Sequence, residues 1–182
     1  MADEFKYEGE VYFLIGRDGE GFYEPSDFGM KAYSTCTACW RGYIMYYDCV
    51  DGELLLNAMK INVNDPKPIN GVQPEPIEDL FKFGYQGLRL KTHFTGSIML
   101  AKDFIPEMYV HMGFQRAIAF RKVIDLQIQD GSILVVKDFS EEMERRRREN
   151  PSKGARPNSP SGVDVSSWIE HRFSLKYDSE EE

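Results

Sequence analysis

The chain has 182 residues, 42% of them hydrophobic, and a formal net charge of -8. That is enough apolar material for one domain core, burying roughly 70% of the unfolded surface without a metal or disulfide staple. The acidity excludes a general nucleic-acid binder, whose phosphate contacts need a basic surface, and suits a protein partner of basic character.

Ten tyrosines and twelve phenylalanines stand against two tryptophans, a balance that favours pleated sheet. Met1-Ala2-Asp3-Glu4 carries acid where a signal peptide carries base, and no apolar run is long enough to span a bilayer. Three cysteines, an odd number, read as reduced thiols. The expectation is a cytoplasmic protein without membrane contact.

Residues 9–15 read as a first strand, with Val11 to Ile15 supplying strand formers, and residues 16–29 as a glycine-rich loop. From Tyr33 to Asp48 the chain is dense in aromatic residues. Ile44 and Tyr46 should face one way, with Tyr43, Met45 and Tyr47 facing the other, so the strand should be covered on both sides. Asp51-Gly52 supplies the positive φ angles of a tight hairpin, and residues 54–63 form the returning strand. Residues 66–76 hold four prolines and read as a connector, with a short helical turn over 77–83 stopped by Gly84.

In the second half, Leu88, Leu90, Thr92 and Phe94 alternate with Arg89, Lys91 and His93, the pattern of a strand with one wet face. Residues 97–101 are apolar, residues 118–129 alternate again, and Asp130-Gly131 turns the chain into residues 133–136. Asp138 with Glu141 has capping-box spacing and opens a helix over 139–149. Within it Glu141, Glu142 and Glu144 each stand four residues before an arginine of the run 145–148, the pairing of an ordinary solvated helix. Residues 150–164 read as a mobile loop, 173–177 as a last strand and 178–182 as a frayed acidic tail.

These elements predict a single α+β domain over 1–182, mainly antiparallel β-sheet built from two β-meanders at about 8–64 and 86–138, with one C-terminal helix. Trp40-Arg41-Gly42-Tyr43-Ile44-Met45 and Phe94-Thr95-Gly96-Ser97-Ile98-Met99 share an aromatic-x-Gly-x-Ile-Met pattern, which suggests that the meanders are related.

Chemistry is thinly signalled. Cys36 and Cys39 have redox-dithiol spacing, but they run into a strand instead of opening a helix whose dipole would activate a thiol. As zinc ligands they need two more, and only Cys49, His93, His111 and His171 are on offer, scattered singly. Residues 16–21 have the wrong glycine order for a phosphate loop, and Pro25 follows where a helix should open. No Gly-x-Ser-x-Gly elbow, His-Glu-x-x-His helix or kinase set is present, so no catalytic residue and no cofactor are assigned.

Trp40-Arg41-Gly42-Tyr43-Ile44, followed by Asp51-Gly52-x-Leu54-x-Leu56, resembles a group of uncharacterised bacterial proteins with no assigned activity. Some of that group look like immunity or accessory proteins, which implies such a role. The first functional reading is therefore a non-enzymatic protein-interaction protein. The alternatives are a small-ligand domain with a pocket lined by Tyr43, Tyr46, Tyr47 and His93, and a thiol or zinc site at Cys36 and Cys39.

Overall fold

A computed structural model describes residues 1–109 and 115–149. Among them are nine strands and one α-helix: β1 Glu4–Tyr7, β2 Glu10–Glu20, β3 Tyr43–Val50, β4 Glu53–Ile61, β5 Glu75–Pro76, β6 Phe83–Lys91, β7 Thr95–Phe104, β8 Phe120–Gln129, β9 Ser132–Asp138 and α1 Ser140–Glu149. The strand expected over 173–177, the loop over 150–164 and the tail over 178–182 lie outside the described residues. No described helix is long and apolar enough to cross a membrane.

Three hairpins use one device, a pair of positive φ angles at the turn. Asp51 and Gly52 join β3 to β4, and Asp130 and Gly131 join β8 to β9, as the sequence predicts. Glu8 and Gly9 do the same between β1 and β2, so Gly9 belongs to a turn and not to the first strand.

The sheet is mainly antiparallel, as expected, but one parallel pair makes it mixed. β1 runs parallel to β3, with Phe5 opposite Tyr47, while β3–β4, β4–β6 and β7–β8 are antiparallel. The strand order is β3-β1-β2-β7-β8-β9-β4-β6-β5, and β3 also pairs with β4, so the pairing closes on itself after seven strands. The two predicted meanders are not the observed grouping. β6 pairs with β4 instead of β7, leaving β7, β8 and β9 as the second run of neighbours.

Other expectations shift locally. β2 continues through the glycine-rich stretch to Glu20. Residues 77–82 form bends and no helical turn, and Gly84 sits inside β6. Residues 33–42 are turns, so β3 begins only at Tyr43.

The chain divides into two compact units. The first comprises residues 1–12, 20–95 and 129–133. Its core holds a ladder of rings: Phe94 stacks on Phe22 at 4.2 Å, Phe22 meets Tyr47 at 5.1 Å, and Tyr47 stacks on Phe5 at 4.8 Å. Such pairs contribute about 0.5–1.5 kcal/mol each beyond burial.

The second unit comprises the described residues within 13–19, 96–128 and 134–149. Ala101, Ala119, Phe120, Val123 and Met143 form its buried cluster, and Met143 with Phe139 fastens α1 to it. Asp138 accepts the Ser140 N–H at 2.8 Å, two residues on rather than at the expected Glu141, and also takes a hydrogen bond from Lys122. Burial opposes ionisation of its carboxyl, but the bonds from Lys122 and Ser140 win and hold its pKa at about 2, below the ordinary 3.8.

A depressed folded-state pKa stabilises the fold above the ordinary carboxylate value, and that gain is lost as pH falls towards about 2. The pair is half exposed, so the gain is small. Asp138→Asn should therefore cost under about 1 kcal/mol at neutral pH and nothing near pH 2, as read by urea unfolding at both.

Candidate protein-interaction site

Trp40 is 77% exposed, an unusual position for the largest apolar side chain. It stands on the turn over residues 36–42, which the sequence would have extended as strand. Leu80, 52% exposed, stands on the adjoining loop of residues 77–82. Their chain neighbours, Cys39 and Phe81, are buried in one cluster with Ile44, against which Cys36, Tyr46 and Ile77 pack. Each exposed apolar residue is thus tied to a buried partner next to it in the chain.

Both loops are clamped by Asn62, which is 2% exposed. Its side-chain amide donates to Thr35 Oγ1 and to the Leu80 carbonyl, each at 3.1 Å, and its side-chain oxygen accepts the Lys82 N–H at 3.0 Å. Its backbone accepts from Tyr33 and donates to Gly42. Ser34 Oγ donates to the carbonyls of Cys36 and Cys39. Asp79 accepts the Phe81 N–H at 2.6 Å and pairs with Lys60 at 2.7 Å.

Beside Trp40, Arg41 reaches back to Asp3. The two nitrogens Nη1 and Nη2 donate to the two carboxylate oxygens at 2.9 and 2.8 Å, and Asp3 Oδ1 also accepts the Met45 N–H at 2.9 Å. Burial works against the charged guanidinium, but bonding to Asp3 outweighs it and holds the Arg41 pKa above the usual arginine range. The guanidinium also lies over the Tyr43 ring, 4.8 Å from its centroid. This fork-to-fork pair fixes the turn in direction as well as position.

The residues proposed to line an aromatic pocket are used otherwise. Tyr47 is buried in the ring ladder. Tyr46 packs on the Cys39–Phe81 cluster, and Tyr43 sits beneath Arg41. His93 is exposed and its Nδ1 lies 2.9 Å from Asp130 Oδ1, while Lys91 pairs with Glu53. His93 and Lys91 are therefore each paired with an acid, Asp130 of the β8–β9 turn and Glu53 of β4.

A hollow of about 470 Å³ in the same unit is lined by Gly29 to Tyr33 and Val63 to Asp65. It includes none of the four residues named for the pocket.

Cys36 and Cys39 lie in a turn, with the Cys39 N–H donating to the Cys36 carbonyl at 3.4 Å. The Cys39 thiol donates to the Tyr43 carbonyl at 3.3 Å. The turn replaces the strand that would have sent them to opposite faces, yet no helix N-terminus is there to activate them. Among the described residues no group of three or more His, Cys, Asp or Glu side chains is placed to hold a metal ion. His111 and His171 lie outside the described residues.

All three thiols are free. Burial and, second, the Asp48 charge push the Cys49 pKa up to about 12, which leaves little thiolate at ordinary pH. Iodoacetamide at about pH 8 should therefore modify half-buried Cys36 well before Cys49, and unfolding in urea should remove the difference. Peptide mapping of the alkylated protein reads the order.

The signal that sequence reasoning missed was exposure. Trp40 reads as a strand residue by composition, and Leu80 as part of a helical turn. No family model, curated protein or solved structure matches this chain.

Proposed function

We propose that this protein is a non-enzymatic binding protein that meets a protein partner through Trp40 and Leu80. The observation that carries the reading is a largely exposed tryptophan on a turn held by Asn62 and by the Arg41–Asp3 pair. Binding energy at protein interfaces concentrates in a few side chains, with tryptophan among the commonest. A rigid turn has little ordering entropy left to lose when a partner arrives.

The net charge of -8 suits a partner of basic character, and three free thiols suit a reducing compartment such as the cytoplasm. An immunity or accessory role, implied by the resemblance of residues 40–44 and 51–56 to uncharacterised bacterial proteins of which some look like immunity or accessory proteins, is consistent with this reading.

The test is capture from native extract with the wild-type chain and with Trp40→Ala. Because Trp40 is exposed, the substitution should leave the unfolding midpoint within about 0.5 kcal/mol of wild type. Loss of a hot-spot residue should weaken a specific partner by about thirtyfold, corresponding to at least about 2 kcal/mol. If wild type and variant retain the same proteins with equal affinity, this face is not the binding surface.

A further inference from the structure

One hollow of the second unit locally reverses the sign of the chain's overall charge. Arg121 of β8 and Glu144, Arg147 and Arg148 of α1 line a hollow of about 470 Å³. Arg148 pairs with Glu144, and on the rest of the helix Arg145 and Arg146 pair with Glu142. Arg145 therefore bridges to Glu142 and Glu149, instead of the Glu141 that the sequence spacing offers.

Arg147 is different. Its Nη1 donates to the carbonyls of Ile118 at 2.9 Å and Phe120 at 2.8 Å, which orients the guanidinium towards β8. Nε and Nη2 have no hydrogen bond among the described residues, and Arg121 has no ion pair among them. Burial, and the charge of Arg121 against that of Glu144, hold the Arg147 pKa below its usual range, though an arginine remains charged throughout.

Docking α1 onto the strand region accounts for the two carbonyl bonds of Arg147. It does not account for a second arginine, without an ion pair among the described residues, brought to the same hollow. Two like charges at close range raise the energy of the empty site, and an anion lowers it. Guanidinium groups fit planar or tetrahedral oxyanions through paired N–H bonds.

We propose that this hollow is a binding site for a phosphoryl group, held by Arg121 and by the preoriented Arg147, with Arg148 at its rim. Among the described residues three guanidiniums and one carboxylate line it, an excess of two positive charges. A phosphoryl dianion balances that excess, whereas a single carboxylate leaves half of it. The site is independent of the Trp40 face.

The test is a titration of the full chain with inorganic phosphate at low ionic strength, following the arginine Nε–Hε signals by NMR. A saturable shift of the Arg121 and Arg147 signals is expected. Arg121→Gln should weaken binding about tenfold, the scale of one charge-assisted hydrogen bond. Glu144→Gln should strengthen binding, because it removes the negative group that lines the hollow among the described residues and releases Arg148. Both residues are exposed, so unchanged unfolding midpoints will separate lost binding from lost fold.

A second arm replaces phosphate with a phosphoserine peptide. Tighter binding of the peptide assigns the group to a phosphorylated protein, and equal binding assigns it to a small phosphorylated molecule. Absence of a saturable shift, equal affinity in Arg121→Gln, or acetate binding as tightly as phosphate would overturn the proposal.

Discussion

Gly42→Ala is expected to cost about 3 kcal/mol or more, enough to unfold a chain of ordinary stability at modest urea concentration. Gly42 has φ +73, and a Cβ built on it would lie 2.1 Å from the Tyr33 carbonyl oxygen and 2.5 Å from its carbon. Those atoms are backbone, and the Tyr33 N–H is already committed to Asn62, so they have no room to yield. Gly52 supplies the control. Its φ is +75, yet nothing lies within 4 Å of its Cβ position. Gly52→Ala should therefore cost only the left-handed backbone term, about 1–2 kcal/mol. Urea unfolding of the two variants separates steric exclusion from conformational preference at nearly the same φ. Equal losses would mean that residues 33–42 adjust freely, and Trp40 would then not be rigidly held.

The same contrast shows why some of the fold was legible and some was not. Asp51-Gly52 and Asp130-Gly131 are local signals, since the turn chemistry resides in two adjacent residues and the hairpin follows. The alternation from Leu88 to Phe94 is equally local and its buried and exposed sides fall as expected, although the strand itself, β6, ends at Lys91. Parallel pairing of β1 with β3 has no adjacent signature, because its partners are about forty residues apart and only the folded chain brings them together.

The glycine-rich part of β2 departs from the expected loop for a related reason. Gly96 of β7 has φ +144, and a Cβ there would lie 2.1 Å from the Asp18 carbonyl oxygen and 2.7 Å from the Gly19 Cα, so Gly19 marks a close backbone approach rather than a loop. Gly42 and Gly96 occupy the same place in the repeated aromatic-x-Gly-x-Ile-Met pattern, and both sit against a carbonyl at that distance. The preceding aromatics diverge: Phe94 is fully buried and Trp40 is exposed. Nothing in the pattern distinguishes them, which is why the candidate site emerged only from the structure.

Asn62→Ala is expected to lower stability by about 2–4 kcal/mol, because one truncation removes three hydrogen bonds at once. The Leu80 carbonyl keeps only the longer bond from Thr35, at 3.4 Å, while the Lys82 N–H and Thr35 Oγ1 lose the partner that joined them. Asn62 lies beyond the last residue of β4 and is buried, so water cannot replace its amide without opening the two loops. Asn62→Asp sharpens the argument. It keeps the shape and still accepts from Lys82, but turns an acceptor towards the Leu80 carbonyl, so it should be no more stable than Asn62→Ala. The two variants should also differ from Trp40→Ala in kind. Trp40→Ala leaves the fold intact and removes the contact, whereas Asn62→Ala leaves Trp40 in place and frees the loops that carry it. Hydrogen exchange at the amides of Tyr33, Gly42 and Lys82 measures that release directly. Protection at these amides equal to wild type in Asn62→Ala would show that the Arg41–Asp3 pair alone fixes the turn, and Asp3→Asn would then become the variant that loosens it.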